Sequence, residues 1–357
     1  MNPIKSVVLL GPTPPPAGGV SIHIKRFAYR LNYLGWPVHI LSTTAQHDDG
    51  NTIAIGNNRI FGILSHYKRF RGNLVLVHSS ELYGLVVSVY CKLAGAQVVQ
   101  YFHNGRALAR IHRNPLLGWL VGKVLGYLDQ VFVVNAEIAK SVHHLSNGVA
   151  KIDVVNPFIP PLESELQGYI PTGFESGKRI YVGWCGLFSG ERAAIYGLDF
   201  FASVFRRFVS AGHDAVAVLA AADFDAENEL QTMARMKCLF ANRVVIVPSD
   251  VPFVSVLNVL DIFIRPTATD GDSISVREAL YLNLPVLASD VSLRPSGVST
   301  YRFGDEDQCF QLLEKLIESN PGSARVSPPS ASPGCEAVLP GDINPDRIKQ
   351  MIRSFQD

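Results

Sequence analysis

The chain has 357 residues, 47% hydrophobic and 18% charged, with a formal net charge of +1. This is a soluble globular profile with material for two cores, and the balanced charge gives no argument for nucleic acid as a partner. Its five cysteines are scattered without a CxxC pair, so neither a zinc site nor a disulfide framework is signalled, and a reduced cytoplasm fits.

The halves differ in charge. Residues 1–170 carry 15 Lys/Arg against 8 Asp/Glu, and residues 171–357 carry 17 against 23. A basic first half suits an anionic surface or an anionic substrate. The opening "MNPIKSVVLLGPTPPP" has an apolar run of four residues, too short for a signal peptide. Apolar runs stay below the roughly 18 residues of a membrane span, so a cytoplasmic chain is expected.

The predicted elements alternate. Strands are expected over Ser6–Gly11, Pro37–Thr43, Leu74–Ser80, Gln97–His103, Gln130–Ala136 and Lys151–Pro157. Helices such as Val20–Leu34 and Leu82–Ala94 lie between them. Near-continuous Val/Ile runs suit strands buried on both faces of a parallel sheet. A stretch with four prolines, residues 157–178, reads as a linker. A second alternation follows: "RIYVGWCG", "AVAVLAA", "RVVIVPS", "DIFIRPT", "PVLASD" and "STYRFGD", with helices such as Leu198–Ala211 and Ala226–Leu239. The tail is a Pro/Ser/Gly-rich loop and a short amphipathic helix. The expected class is α/β, with a doubly wound domain over 1–165, a second over 175–340, and a helix over 344–357 that packs back on the first domain. Such folds bind ligands at their strand C-termini.

Three stretches can carry chemistry. In "GPTPPPAGGVSIHIKRF", Gly18 and Gly19 precede a helix whose amides could meet an anion, although a plain strand-to-helix turn needs no more. The spacing is neither GxGxxG nor GxxxxGK[ST], so a nicotinamide cofactor and a Walker-type loop are not supported. In "QYFHNGRAL", His103 ends a strand and faces the ligand crevice, or else caps the next helix; His78 is a lesser candidate of the same kind. In "TDGDSISVREAL", a helix is expected from about Ser275, with Asp272 or Ser273 as its N-cap. The amides of Ser273, Ile274 and Ser275 could hold a phosphate without lysine or metal. Asp270 and Glu278, eight residues apart, could accept hydrogen bonds from sugar hydroxyls. "NPLLGWLVGKVLGYLD" and "HYKRFRGN" read first as structural, and Trp36 and Trp119 as packing residues, with a membrane surface as the other reading.

"DGDSISVREALYLNLPVLASD" resembles the nucleotide-sugar signature of GT-B glycosyltransferases of family GT4, the glycosyl transferases group 1. Asp270 stands where Glu is commoner, and Glu278 takes the second acidic position. The resemblance extends to "GPTPPPAGGVSIH", "FHNG" and "VVNPF". It implies two Rossmann-like domains facing a cleft. It also implies retaining, metal-independent transfer from a nucleoside-diphosphate sugar to a glycan or lipid-linked glycan in polysaccharide assembly, with no cofactor and peripheral contact at the inner membrane face. Glu278 would hold the ribose. Asp270, with the amides of Gly271, Asp272, Ser273, Ile274 and Ser275, would meet sugar and diphosphate. Gly18 and Gly19 would admit the diphosphate, and His103 would contact the donor sugar near the reacting carbon.

One departure stands out. In "CGLFSGERAAIYGLDFF" the glycines Gly186 and Gly197 match the family, but Leu187 and Tyr196 replace the Arg and Lys that grip the diphosphate. Arg192, Arg265 or Arg277 could substitute. The alternatives are a non-catalytic sugar-nucleotide-binding or partner subunit, and a GT-B sugar-nucleotide epimerase.

Overall fold

The computed structural model describes residues 4–319, except Pro16, Asn57, Ser80, 172–173, 176–178, Arg192 and 225–228. Arg192 and the expected helix over 344–357 therefore lie outside the described residues. One compact unit runs to Ile159 and a second begins at Pro160.

The first unit contains β1 (Val7–Gly11), α1 (Gly19–Tyr33), β2 (Val38–Ser42), β3 (Thr52–Ala54), α2 (Arg59–Ser65), β4 (Leu74–His78) and α3 (Leu82–Leu93). These are followed by β5 (Gln97–Phe102), α4 (Arg106–Ile111), α5 (Pro115–Tyr127), β6 (Gln130–Val133), α6 (Ala136–Leu145) and β7 (Ile152–Val154). Its sheet is parallel, in the order β3-β2-β1-β4-β5-β6-β7. Leu9 in β1 pairs with Ile40 on one side and Leu76 on the other. Every residue of β1 and β4 is buried, as strands covered by helices on both faces must be. The helix α1 explains one cover: Ile24, Phe27, Ala28 and Leu31 recur at helical spacing and all are buried.

The second unit contains β8 (Ile180–Gly186), α7 (Leu198–Ser210), β9 (Ala215–Ala221), α8 (Glu229–Leu239), β10 (Val244–Val247) and α9 (Phe253–Leu257). Then come β11 (Ile262–Arg265), α10 (Ile274–Tyr281), β12 (Val286–Ser289), β13 (Val298–Tyr301) and α11 (Glu306–Ser319). Its sheet is also parallel, in the order β10-β9-β8-β11-β12-β13. Alternate residues serve opposite faces. Val182 and Trp184 enter one core with Phe201 and Phe205, and Tyr181 enters the other with Leu260 and Val276.

Both sheets reverse direction of growth beside their first strand, where β1 lies between β2 and β4 and β8 lies between β9 and β11. In doubly wound sheets this switch point opens a crevice at the strand C-termini. His78 ends β4 and Arg265 ends β11, so each unit brings polar side chains to its own crevice.

Two expectations change, and one strand is unforeseen. The described part of the proline-rich stretch is not a linker throughout, because Leu166, Tyr169 and Phe174 pack on the second unit's core and Glu165 is buried. The boundary therefore falls at 159–160 rather than between 165 and 175. Trp119 is not a packing residue: it is 57% exposed, with Leu116 and Leu120 exposed beside it, while Gly118, Val121, Gly122 and Leu125 form the buried face of α5. The strand β3 has no predicted counterpart, being a short edge strand whose three residues are only half-buried.

Candidate functional site

In the second unit, β11 delivers Arg265 and the following loop folds Asp270 back onto it. The Arg265 Nε lies 3.2 Å from Asp270 Oδ2, and Arg294 Nη1 lies 2.9 Å from the same oxygen. Thr267 Oγ1 donates to it as well, at 3.3 Å. Arg294 also donates from Nε to the Ser289 carbonyl at 2.9 Å, and Ser289 Oγ donates to the Thr267 carbonyl at 2.7 Å. The ions are well sheltered: the side chains of Arg265, Asp270 and Arg294 are 11%, 11% and 3% exposed. Burial alone would raise the Asp270 pKa, but Arg265 and Arg294 outweigh it and hold the carboxyl below its ordinary value. Burial also works against the Arg265 charge, and Asp270 more than compensates, so Arg265 stays protonated.

The next turn begins α10. Ser273 is its N-cap with extended backbone and makes no side-chain cap bond. The first backbone bond runs from the Arg277 amide to the Ser273 carbonyl at 3.2 Å. The amides of Ile274, Ser275 and Val276 precede it, so this helix start presents donors and a partial positive charge. Asp272 is held by Arg277 in a bidentate pair of 2.5 and 2.6 Å. Glu278 is buried on the same helix at 5% exposure.

The thiol of Cys185, on the last turn of β8, reports how these groups converge. Burial pushes its pKa up; Arg265 and a hydrogen bond with Ser275 oppose this, while Glu278 and Asp270 add to it. Arg265 Nη1 also donates to the Cys185 carbonyl at 3.2 Å. The fold thus gathers Asp270, Ser275, Glu278 and Arg265 about the ends of β8 and β11.

The segment departing from the family pattern lies alongside. Trp184 Nε1 donates to the Tyr196 carbonyl at 2.9 Å, and the Arg265 guanidinium sits over the Tyr196 ring at 5.2 Å. Gly197 has φ +62°, and a Cβ there would approach the Pro266 carbonyl oxygen to 2.2 Å, so only glycine fits. Arg277 and Arg265, two of the expected substitutes for the missing Arg and Lys, are committed to Asp272 and Asp270.

In the first unit, Gly18 is the N-cap of α1. Its amide donates to Ser21 Oγ at 2.8 Å, and the Ile22 amide donates to its carbonyl at 2.9 Å. A Cβ at Gly18 would meet nothing nearer than Ser21 Oγ at 3.9 Å, so packing does not demand glycine there. His103, half-buried just past β5, stacks on Tyr101 with centroids 4.3 Å apart. His78 Nδ1 lies 3.1 Å from His103 Nε2. His23, from the second turn of α1, completes the group, with Nδ1 2.7 Å from the Pro157 carbonyl. Burial lowers the His23 pKa to about 4, with the Pro157 carbonyl raising and Arg26 lowering it; burial likewise holds His78 and His103 well below the ordinary histidine value. Among the described residues these three histidines form a group that could hold a metal ion.

Of the candidate residues, Asp270 to Glu278 converge in the second unit, and Gly18, Gly19 and His103 lie at the strand ends of the first. Sequence reasoning missed Arg294 and His23. Arg294 is 24 residues from its partner Asp270 and lies in a loop without periodicity. His23 stands inside the quoted glycine-loop stretch, but helical spacing alone does not aim it at His78.

No family model matches the chain, and no curated protein does. Solved structures match along its length. A sucrose-phosphate synthase from Thermosynechococcus elongatus is 14% identical with a TM-score of 0.70, covering 99% of each chain. Anabaena HepE in complex with UDP-glucose is 13% identical with a TM-score of 0.65, covering 98% of this chain and 99% of that one. A glycosyltransferase from Rickettsia africae is 15% identical with a TM-score of 0.59, covering 88% of each. With two parallel Rossmann-like sheets in these strand orders, the chain has the GT-B fold of glycosyltransferases.

Proposed function

We propose that the chain is a glycosyltransferase that takes a UDP-sugar and transfers the sugar, with retention and without a metal at the diphosphate, to a hydroxyl of a glycan or lipid-linked glycan. The observation that carries this reading is the start of α10: an uncapped turn of amides set beside a buried Arg265–Asp270–Arg294 cluster, with Glu278 on the same helix. As the bond to the sugar breaks, negative charge grows on the leaving diphosphate. Preorganised amides at a helix start stabilise it without the reorganisation that water requires. Glu278 accepts from the ribose hydroxyls. The three bonds to Asp270 all fall on Oδ2, so a sugar hydroxyl would use Oδ1. His103, neutral at pH 7, is assigned to the donor sugar, and Gly18 and Gly19 to the diphosphate. The choice of UDP draws on HepE, solved with UDP-glucose.

Peripheral membrane contact belongs to the same proposal. The exposed face Leu116, Trp119 and Leu120 of α5, with Lys123 6.0 Å from the Trp119 ring, suits an interface with anionic lipid.

A panel of UDP-, GDP-, ADP- and TDP-sugars tests the reading by thermal shift and calorimetry, with and without EDTA. Saturable, EDTA-insensitive stabilisation by UDP-sugars and turnover with an acceptor is the expected result. Absence of binding by all four refutes it. One observation favours a second reading, a sugar-nucleotide-binding chain without turnover: Leu187 and Tyr196 carry no charge, and Arg265 and Arg277 are already paired. Tight donor binding with no transfer and no donor hydrolysis in single-turnover conditions would select it.

A further inference from the structure

The histidine cluster of the first unit is built beyond what packing explains. His23 Nδ1 lies 2.7 Å from the Pro157 carbonyl. A carbonyl only accepts, so Nδ1 carries the proton, and in a neutral ring Nε2 then bears a lone pair. That Nε2 is buried with no hydrogen-bond partner, and His23 is 1% exposed. An unsatisfied buried acceptor is costly, so such atoms call for an explanation. His78 Nε2 is a second buried ring nitrogen without a partner. One ring nitrogen from each of His23, His78 and His103 lies within 4.8 Å of those from the other two.

We propose that His23, His78 and His103 form a binding site for one divalent transition cation, of which zinc is the best match. In a tetrahedral site with metal–nitrogen bonds of about 2.0–2.1 Å, neighbouring nitrogens stand about 3.4 Å apart. The 3.1 Å between His78 Nδ1 and His103 Nε2 is near that edge length; in the metal-free chain it is a hydrogen bond, and a cation held by both nitrogens takes the place of its proton. Closing the remaining separations asks for ring movements on the order of 1 Å. The rings are held by rigid neighbours: His103 and His78 both stack on Tyr101, and His23 on Phe27. The bond from His23 to the Pro157 carbonyl is the kind of outer contact that orients a metal-binding imidazole. Three neutral imidazoles suit zinc, cobalt, nickel or copper and not magnesium or calcium. His103, the half-buried member, gives the route from solvent and leaves a fourth position for water. Arg26, buried beside His23, opposes the added charge, so the expected affinity is moderate. The cation is no part of the diphosphate chemistry proposed above, but it takes the His103 ring that the proposed function assigns to the donor sugar, so cation and donor sugar compete for that side chain.

The test uses the full chain without a histidine tag, stripped with EDTA and titrated with Co²⁺, then with Zn²⁺ in competition. One cation per chain, with the intense visible absorption of tetrahedral Co²⁺, is expected. His23→Asn keeps an N–H for the Pro157 carbonyl and removes the Nε2 ligand. It should bind at least tenfold more weakly and lose the tetrahedral absorption, while its metal-free melting temperature stays near that of the parent. His103→Gln, at the half-buried position, gives the same reading if His23→Asn does not fold. No binding by the parent chain, or cobalt affinity unchanged in both variants as surface histidines such as His112 and His144 would give, overturns the proposal.

Discussion

Asp270→Asn is the sharpest perturbation of the second unit, because it keeps the side chain's size and removes only its charge. Two guanidiniums then remain in a pocket where their side chains are 11% and 3% exposed, sharing one neutral acceptor. Breaking a buried ion pair by removing one partner costs about 3–5 kcal/mol. The asparagine oxygen can still accept, which places the expected loss near the lower end, about 3 kcal/mol. For a unit of this size that is a fall in melting temperature of about 6–12 °C. Urea unfolding followed by Trp184 fluorescence, in a Trp36→Phe/Trp119→Phe background, reads the second unit alone. The pH dependence adds a second check. The Asp270 pKa is depressed in the folded chain, so its contribution is full above the ordinary Asp range and is lost as pH falls through the folded value. The gap between parent and variant should therefore close in acid. A loss under about 1 kcal/mol, or a gap unchanged at low pH, would show that the cluster does not hold the loop.

Glu278→Ala should weaken UDP-sugar binding at least tenfold by calorimetry, and unchanged affinity would sink the ribose assignment. Gly197→Ala should destabilise the second unit by about 3 kcal/mol in urea melts, since it combines a left-handed φ with a clash against the Pro266 carbonyl. His23, with its pKa lowered to about 4, should make the metal-free first unit less stable as pH drops below the ordinary histidine value. The unfolded chain takes up that proton first, so the loss grows from about pH 6.5 down to the folded value and reaches on the order of 3 kcal/mol. His23→Asn should make that slope shallower, leaving the part due to His78 and His103, whose rings burial also holds below the ordinary value, and a parent melting curve flat between pH 7 and 4.5 would refute the neutral buried ring.

The strands were legible because parallel strands buried on both faces read as continuous apolar runs, as in "SVVLL" and "AVAVLAA". The helix after "DIFIRPT" was legible too, since good helix formers follow a polar loop and Pro285 follows its end; it begins at Ile274, one residue before the expected Ser275. The short β3 was not, because three half-buried edge residues leave no pattern to detect. The supposed linker misled for a related reason. Prolines mark irregular backbone, but irregular backbone can still bury Leu166, Tyr169 and Phe174. Trp119 likewise sits on a helix whose all-round apolarity hides which face is covered.

The sequence by itself determined two α/β units and the stretch carrying Asp270, Ser273, Ser275 and Glu278, because local periodicity and spacing act over a dozen residues. Only the tertiary structure decided what those groups touch. Arg294 reaches Asp270 from 24 residues away, and His23 meets His78 across 55 positions and Pro157 across 134. Parallel sheets make that unavoidable: each strand end is brought beside another by a crossover, so the partners that set charge and protonation are distant in the chain and adjacent only when the sheet is complete.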